Sequence, residues 1–168
     1  HLVPTHNGIG SEKLLAATMI QPGQTVLHNR GRCDGLVSAN KGKSVDVSVK
    51  EAARYGEPQK FGGNIDLAKL ERLLKKLGRD KVAYVQIDTC PDGWNGQPVS
   101  MANIEAVKEL AAAYSVLLVI DISDVLENAY WIRKVEAPKQ GILEIAKRII
   151  QLADIVLMDA SQDPRSDV

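Results

Sequence analysis

The sequence has no net charge: Lys plus Arg and Asp plus Glu number 21 each in 168 residues. With neither sign in excess there is no field to draw in nucleic acid or an anionic membrane, and binding to either is disfavoured. Long hydrophobic runs are missing too. The longest aliphatic run, Val116-Leu117-Leu118-Val119-Ile120, falls far short of the roughly 20 apolar residues that span a bilayer. Cysteine is scarce: Cys33 and Cys90 lie far apart, which excludes a disulfide framework or a Cys-x-x-Cys zinc site and makes a reducing cytoplasm the expected compartment. His1 opens the chain with no initiator Met, signal peptide or charged tail, which suggests a fragment or a processed product. No repeat, low-complexity tract or linker divides the chain, and its length suits one domain that buries most of its unfolded surface.

What is present is alternating periodicity. A helix is expected over residues 10–20, where Leu14, Leu15 and Thr18-Met19 fall at helical spacing before Pro22-Gly23. Strands are expected over 24–27 and over 44–49, where Val45, Val47 and Val49 alternate; a short helix over 34–41 lies between them. Residues 54–63 read as a loop. Asp66 then caps a helix whose Leu67, Leu70, Leu73, Leu74 and Leu77 form one stripe ending at Gly78. Beyond it come a strand over 82–87, a helix over 101–114, a strand over 116–120, helices over 127–135 and 142–152, and a strand over 155–158. Continuous apolar strands separated by helices predict an α/β fold: a mainly parallel sheet flanked by helices, in a single domain over residues 1–168.

The least accidental stretch is Gly96-Gln97-Pro98-Val99-Ser100-Met101-Ala102-Asn103, a strand-to-helix connection. Pro98 pushes Gln97 out of the α region, and Ser100 can cap the helix that begins at Met101. In open parallel sheets such connections lie on the ligand side. Asp121 ends a buried strand on that same side, where it suits a cationic ring or a ribose hydroxyl, or else caps the next helix. Asn7-Gly8-Ile9-Gly10 precedes a helix and can converge backbone N–H groups on an anion, or form a plain turn. His6 could donate to a phosphate or be solvated. His28, Asn29, Arg30 and Arg32 form an anion site or a solvated basic edge. Trp94 stacks on a flat ligand or packs on the sheet. Asp92, Asp121 and Asp124 fall on two loops of one predicted edge, but their spacing matches no metal motif and no metal site is assigned.

Pro4-Thr5-His6-Asn7-Gly8-Ile9-Gly10-Ser11-Glu12, the octapeptide at Gly96, Asp121 and Glu127-Asn128-Ala129-Tyr130 occur in an order and at spacings that resemble tryptophanase and tyrosine phenol-lyase. These are β-eliminating lyases with the aspartate aminotransferase fold (fold type I) that use pyridoxal 5′-phosphate (PLP). The resemblance covers nearly all of this chain and part of the large cofactor domain of a family member. It implies cleavage of an aromatic amino acid such as tryptophan or tyrosine to indole or phenol, pyruvate and ammonia, and a homo-oligomeric assembly. Asp121 matches the aspartate that pairs with the pyridine nitrogen and keeps the ring an electron sink. Asn7 and Gly8 match the pair that contacts the cofactor phosphate, and Ile9 stands where the family has arginine.

The resemblance also exposes departures. Arg30-Gly31-Arg32-Cys33 offers no aromatic to stack on the ring, Asp92 replaces an asparagine, and Asp124 replaces an arginine. The family pattern Ser-x-Lys-Lys-Asp aligns with Asp159-Ala160-Ser161-Gln162-Asp163, so Gln162 takes the place of the Schiff-base lysine. Glutamine forms no imine and supplies no amine for proton transfer, so no catalytic residue is assigned. Asp159, in place of a phosphate-contacting serine, adds like-charge repulsion on the order of 1 kcal/mol. The expected protein is therefore a degenerate relative without the lyase reaction. The alternatives are a non-catalytic interaction or regulatory subunit and a reversible small-ligand-binding domain.

Overall fold

The computed structural model describes residues 2–5, 8–30, 34–49, 61–91 and 96–159. Five strands form one sheet: β1 (Thr25–His28), β2 (Lys43–Asp46), β3 (Val82–Asp88), β4 (Leu118–Asp121) and β5 (Ile155–Leu157). All four pairings are parallel, in the order β2-β1-β3-β4-β5. The α/β, parallel-sheet expectation holds.

Among the described residues six α-helices flank the sheet: α1 (Gly8–Met19), α2 (Asp34–Ala39), α3 (Leu67–Leu77), α4 (Met101–Ala113), α5 (Val125–Val135) and α6 (Ile142–Leu152). Strand alternation sorts the apolar residues into two cores. Leu27, Val85, Ile87, Leu118 and Ile120 face α3 to α6, where Leu70, Leu74, Ile104, Val107, Ile132 and Ile149 meet them. Val26, Tyr84, Val119 and Leu157 face the smaller core, closed by Leu15 and Ala16 of α1, Ile20 just beyond it and Val37 of α2. The leucine stripe of α3 packs as its spacing predicts, and Asp66 Oδ1 accepts from Lys69 N at 2.9 Å as the N-cap.

The octapeptide proves to be a hub of polar braces. Gly96 has φ +66°, a conformation glycine adopts without strain. Val99 N donates to Asn128 Oδ1 at 2.7 Å and Asn128 Nδ2 returns a bond to Val99 O at 3.0 Å, with Asn128 fully buried. Ser100 caps α4 through Asn103 N at 3.1 Å, while its own N–H donates to Asn64 Oδ1 at 2.8 Å. Asn103 closes the set, accepting from Ile65 N at 2.8 Å and donating to Ile65 O at 2.9 Å. Two stretches that carry the family resemblance, Gly96–Asn103 and Glu127–Tyr130, are thus joined by hydrogen bonds.

The direction of the chain changes at β1. It crosses through α2 to β2 on one side, then returns through α3 to β3 on the other, so the carboxyl ends of β1 and β3 diverge. Open parallel sheets hold ligands at such a point.

Candidate functional site

A cavity of about 230 Å³ opens at the carboxyl ends of β3 and β4, beneath the start of α1. Asn29, directly after β1, staples the divergent strand ends. Its Oδ1 accepts from Asp88 N at 2.8 Å, and its Nδ2 donates to Asp88 O at 3.1 Å and Gly63 O at 2.9 Å. His28 is buried: its Nδ1 accepts from Arg30 N at 3.1 Å, which leaves Nε2 to donate to Ser44 Oγ at 2.6 Å. His28 and Asn29 are thus buried and form no solvated edge.

Arg30 spans the cavity wall. Its Nη1 lies 2.5 Å from Glu12 Oε1 of α1, and its Nε lies 2.5 Å from Asp88 Oδ2 at the end of β3. Asp88 also accepts from Gln86 Nε2 at 2.9 Å and sits in register opposite Asp121. Burial pushes the Asp88 carboxyl from 3.8 up to about 7; Arg30 pulls it down, and the Asp121 charge pushes it further up. Arg30, expected in an anion site or a basic edge, lines the cavity but is engaged by two carboxylates, and Asp88 and Glu12 join it there as site residues that the sequence alone did not single out. The signal that singled out Asp121, a carboxylate at the end of a buried strand, applies equally to Asp88.

Asp121 lines the cavity as expected. Its Oδ1 accepts from Ser123 N at 3.0 Å and Ser123 Oγ at 2.6 Å, so it braces the turn into α5 while facing the cavity. Ser123 Oγ in turn accepts from Asp159 N at 2.9 Å. Gly8 lies at the first position of α1, where a Cβ would come within 2.7 Å of Asp159 Cγ. Cys90, also on the wall, is buried, and its thiol is pushed up to about 12 by burial and by Glu127 and Asp124, so it is no ready nucleophile. Thr89, Cys90 and Pro91 line the cavity, whereas no described residue of the octapeptide does. Asn7, His6, Arg32, Cys33, Asp92, Trp94 and Gln162 lie outside the described residues.

A family profile described as beta-eliminating lyase matches residues 1–168. The chain belongs to the β-eliminating lyase family. It is 34% identical over 167 residues to a tyrosine phenol-lyase of Pasteurella multocida and 36% identical over 167 residues to one of Clostridium tetani, covering 97% of this chain and 36% of each relative. A probable tryptophanase of Aeropyrum pernix is 33% identical over 183 residues, covering 99% of this chain and 37% of that protein. The chain thus spans little more than a third of the length of these lyases. In fold it is similar to an aspartate aminotransferase of Rhodobacter sphaeroides, with a TM-score of 0.58 at 19% identity over 73% of this chain and 30% of that one. Cystalysin of Treponema denticola, a structure containing pyridoxal 5′-phosphate, superposes with a TM-score of 0.50 at 14% identity over 66% of this chain and 26% of its own.

PLP is the cofactor this lyase family and this fold imply, and the described residues fit it only at one point. Asp121 suits a protonated ring nitrogen. The rest of the wall opposes a phosphorylated molecule: five carboxylates, those of Glu12, Asp88, Asp121, Asp124 and Asp159, face one guanidinium, which Glu12 and Asp88 already engage. The helix end that would receive an anion is met by Asp159. This charge distribution does not fit the cofactor.

Proposed function

We propose that this chain is a β-eliminating lyase relative that retains the fold and the ring-facing Asp121 but does not carry out the lyase reaction. The observation that carries this reading is Gln162 at the place of the Schiff-base lysine, because an amide nitrogen forms no imine and transfers no proton as an amine. The carboxylate-rich wall around Asp121 supports it from the described residues. In this reading the protein does not release phenol or indole from tyrosine or tryptophan. It works in the cytoplasm, where its cysteines stay reduced, and self-associates as its relatives' fold suggests. The test is direct: the chain with PLP and L-tyrosine or L-tryptophan forms no pyruvate above a protein-free control. Turnover at a rate that scales with protein concentration refutes the reading.

A second reading, reversible binding of a small molecule, is favoured by the cavity at the strand ends. An aromatic amino acid is the ligand class that the family suggests. Binding without chemistry raises the melting temperature with the logarithm of ligand excess, and an unchanged melting temperature at saturating tyrosine and tryptophan removes those two ligands.

A further inference from the structure

We propose that Asp159 is the residue that determines what the cavity admits: its carboxylate is a built-in anion at the start of α1 that keeps phosphate-bearing ligands out. The inference rests on the reading that this cavity occupies the family's cofactor place, and it identifies the side chain that changed the site's charge selectivity.

Three observations converge on it. α1 is a 12-residue helix with no acidic residue in its first turn, so its N–H groups and positive end lack an acid of their own. Asp159 comes from the far end of the described chain, after β5, and packs where only glycine leaves room: a Cβ on Gly8 would stand 2.7 Å from Asp159 Cγ and 2.8 Å from Asp159 Cβ. The backbone of Asp159 is held in that place by its N–H bond to Ser123 Oγ at 2.9 Å, and Ser123 is itself tied to Asp121 at 2.6 Å. The main chain of Asp159 is thus tied through Ser123 to the same aspartate that lines the cavity. A phosphate approaching α1 meets a carboxylate at the helix end that would otherwise attract it.

Calorimetric titration of the full chain with inorganic phosphate tests this. Asp159→Asn, which keeps the shape and removes the charge, and Asp159→Ser bind phosphate at least ten-fold more tightly than the unchanged chain. Equal affinity in all three, including no measurable binding in any, overturns the proposal. Should a variant fail to fold, the unchanged chain still decides: its titration with phosphate gives no saturable heat, and a stoichiometric binding isotherm overturns the proposal. Phosphate carries no aldehyde, so this result is independent of whether the chain forms an imine, and the two readings fail separately.

Discussion

Replacing Asp88 by Asn tests the cavity's electrostatics where they are most strained. The native carboxyl holds its proton up to about pH 7, whereas an unfolded aspartate releases it near 3.8. Between those values the native state binds more protons than the unfolded state, so stability is fully present below pH 3.8 and is lost as pH rises through 7. At about 1.4 kcal/mol per pH unit, the group withdraws on the order of 4 kcal/mol across the window. The amide of the Asp88→Asn variant would stay neutral throughout and keep the side chain's shape between Gln86 and Arg30. Urea unfolding at pH 5, 6, 7 and 8 therefore gives a steep fall for the unchanged chain and a flatter profile for Asp88→Asn. The variant is the more stable protein at pH 8, and the gap narrows toward pH 5 and closes only below pH 3.8. Parallel profiles would assign the pH dependence to groups other than Asp88.

Asn128→Ala leaves both backbone polar groups of Val99 buried without their partner, at a cost on the order of 3 kcal/mol read by urea unfolding; a loss below about 1 kcal/mol would show that the octapeptide is braced elsewhere. Asp154 accepts from Leu118 N at 2.8 Å and Lys108 Nζ at 2.6 Å, and these bonds hold its carboxyl below the usual aspartate range despite the opposing effect of its partial burial. Its contribution is present above about pH 3.8 and disappears as pH falls through the lower native value. Because the group is largely exposed, Asp154→Ala costs only about 1 kcal/mol at pH 7, and the cost shrinks as pH falls below 3.8; a loss that stays constant with falling pH contradicts this. Cys90 resists iodoacetamide in the folded protein at pH 8 and reacts on unfolding, as peptide mapping would record; alkylation at the rate of a free thiol contradicts its burial and raised pKa.

The elements whose signal is local were legible. The stripes of α3 and α6 and the caps Asp66 and Ser100 depend on neighbours within one or two turns, and they stand within a residue of where spacing puts them. The ends of strands were less so: the apolar run begins at Val116, yet the β4 ladder begins at Leu118, because pairing with β3 sets that boundary. Asp121 was legible as the last residue of a continuous apolar strand. Asp88 carries the same signal at the end of β3, but its approach to Asp121 was not legible, since that arises from the parallel register of β3 and β4. Arg30 read as part of a basic cluster because its partners, Glu12 and Asp88, come from other elements. The octapeptide marked ancestry correctly, and its position suggested ligand contact. Its described residues instead serve packing, through Asn128 and Asn64, which only the folded chain brings near.

Borohydride reduction of the chain with excess PLP, followed by intact mass and peptide mapping, tests the central claim most directly. If Gln162 stands in the place of the Schiff-base lysine, as proposed above, no stoichiometric phosphopyridoxyl adduct forms at any single residue, only scattered substoichiometric labelling of surface lysines. One equivalent of adduct on one lysine, protected by a competing aromatic amino acid, would contradict it.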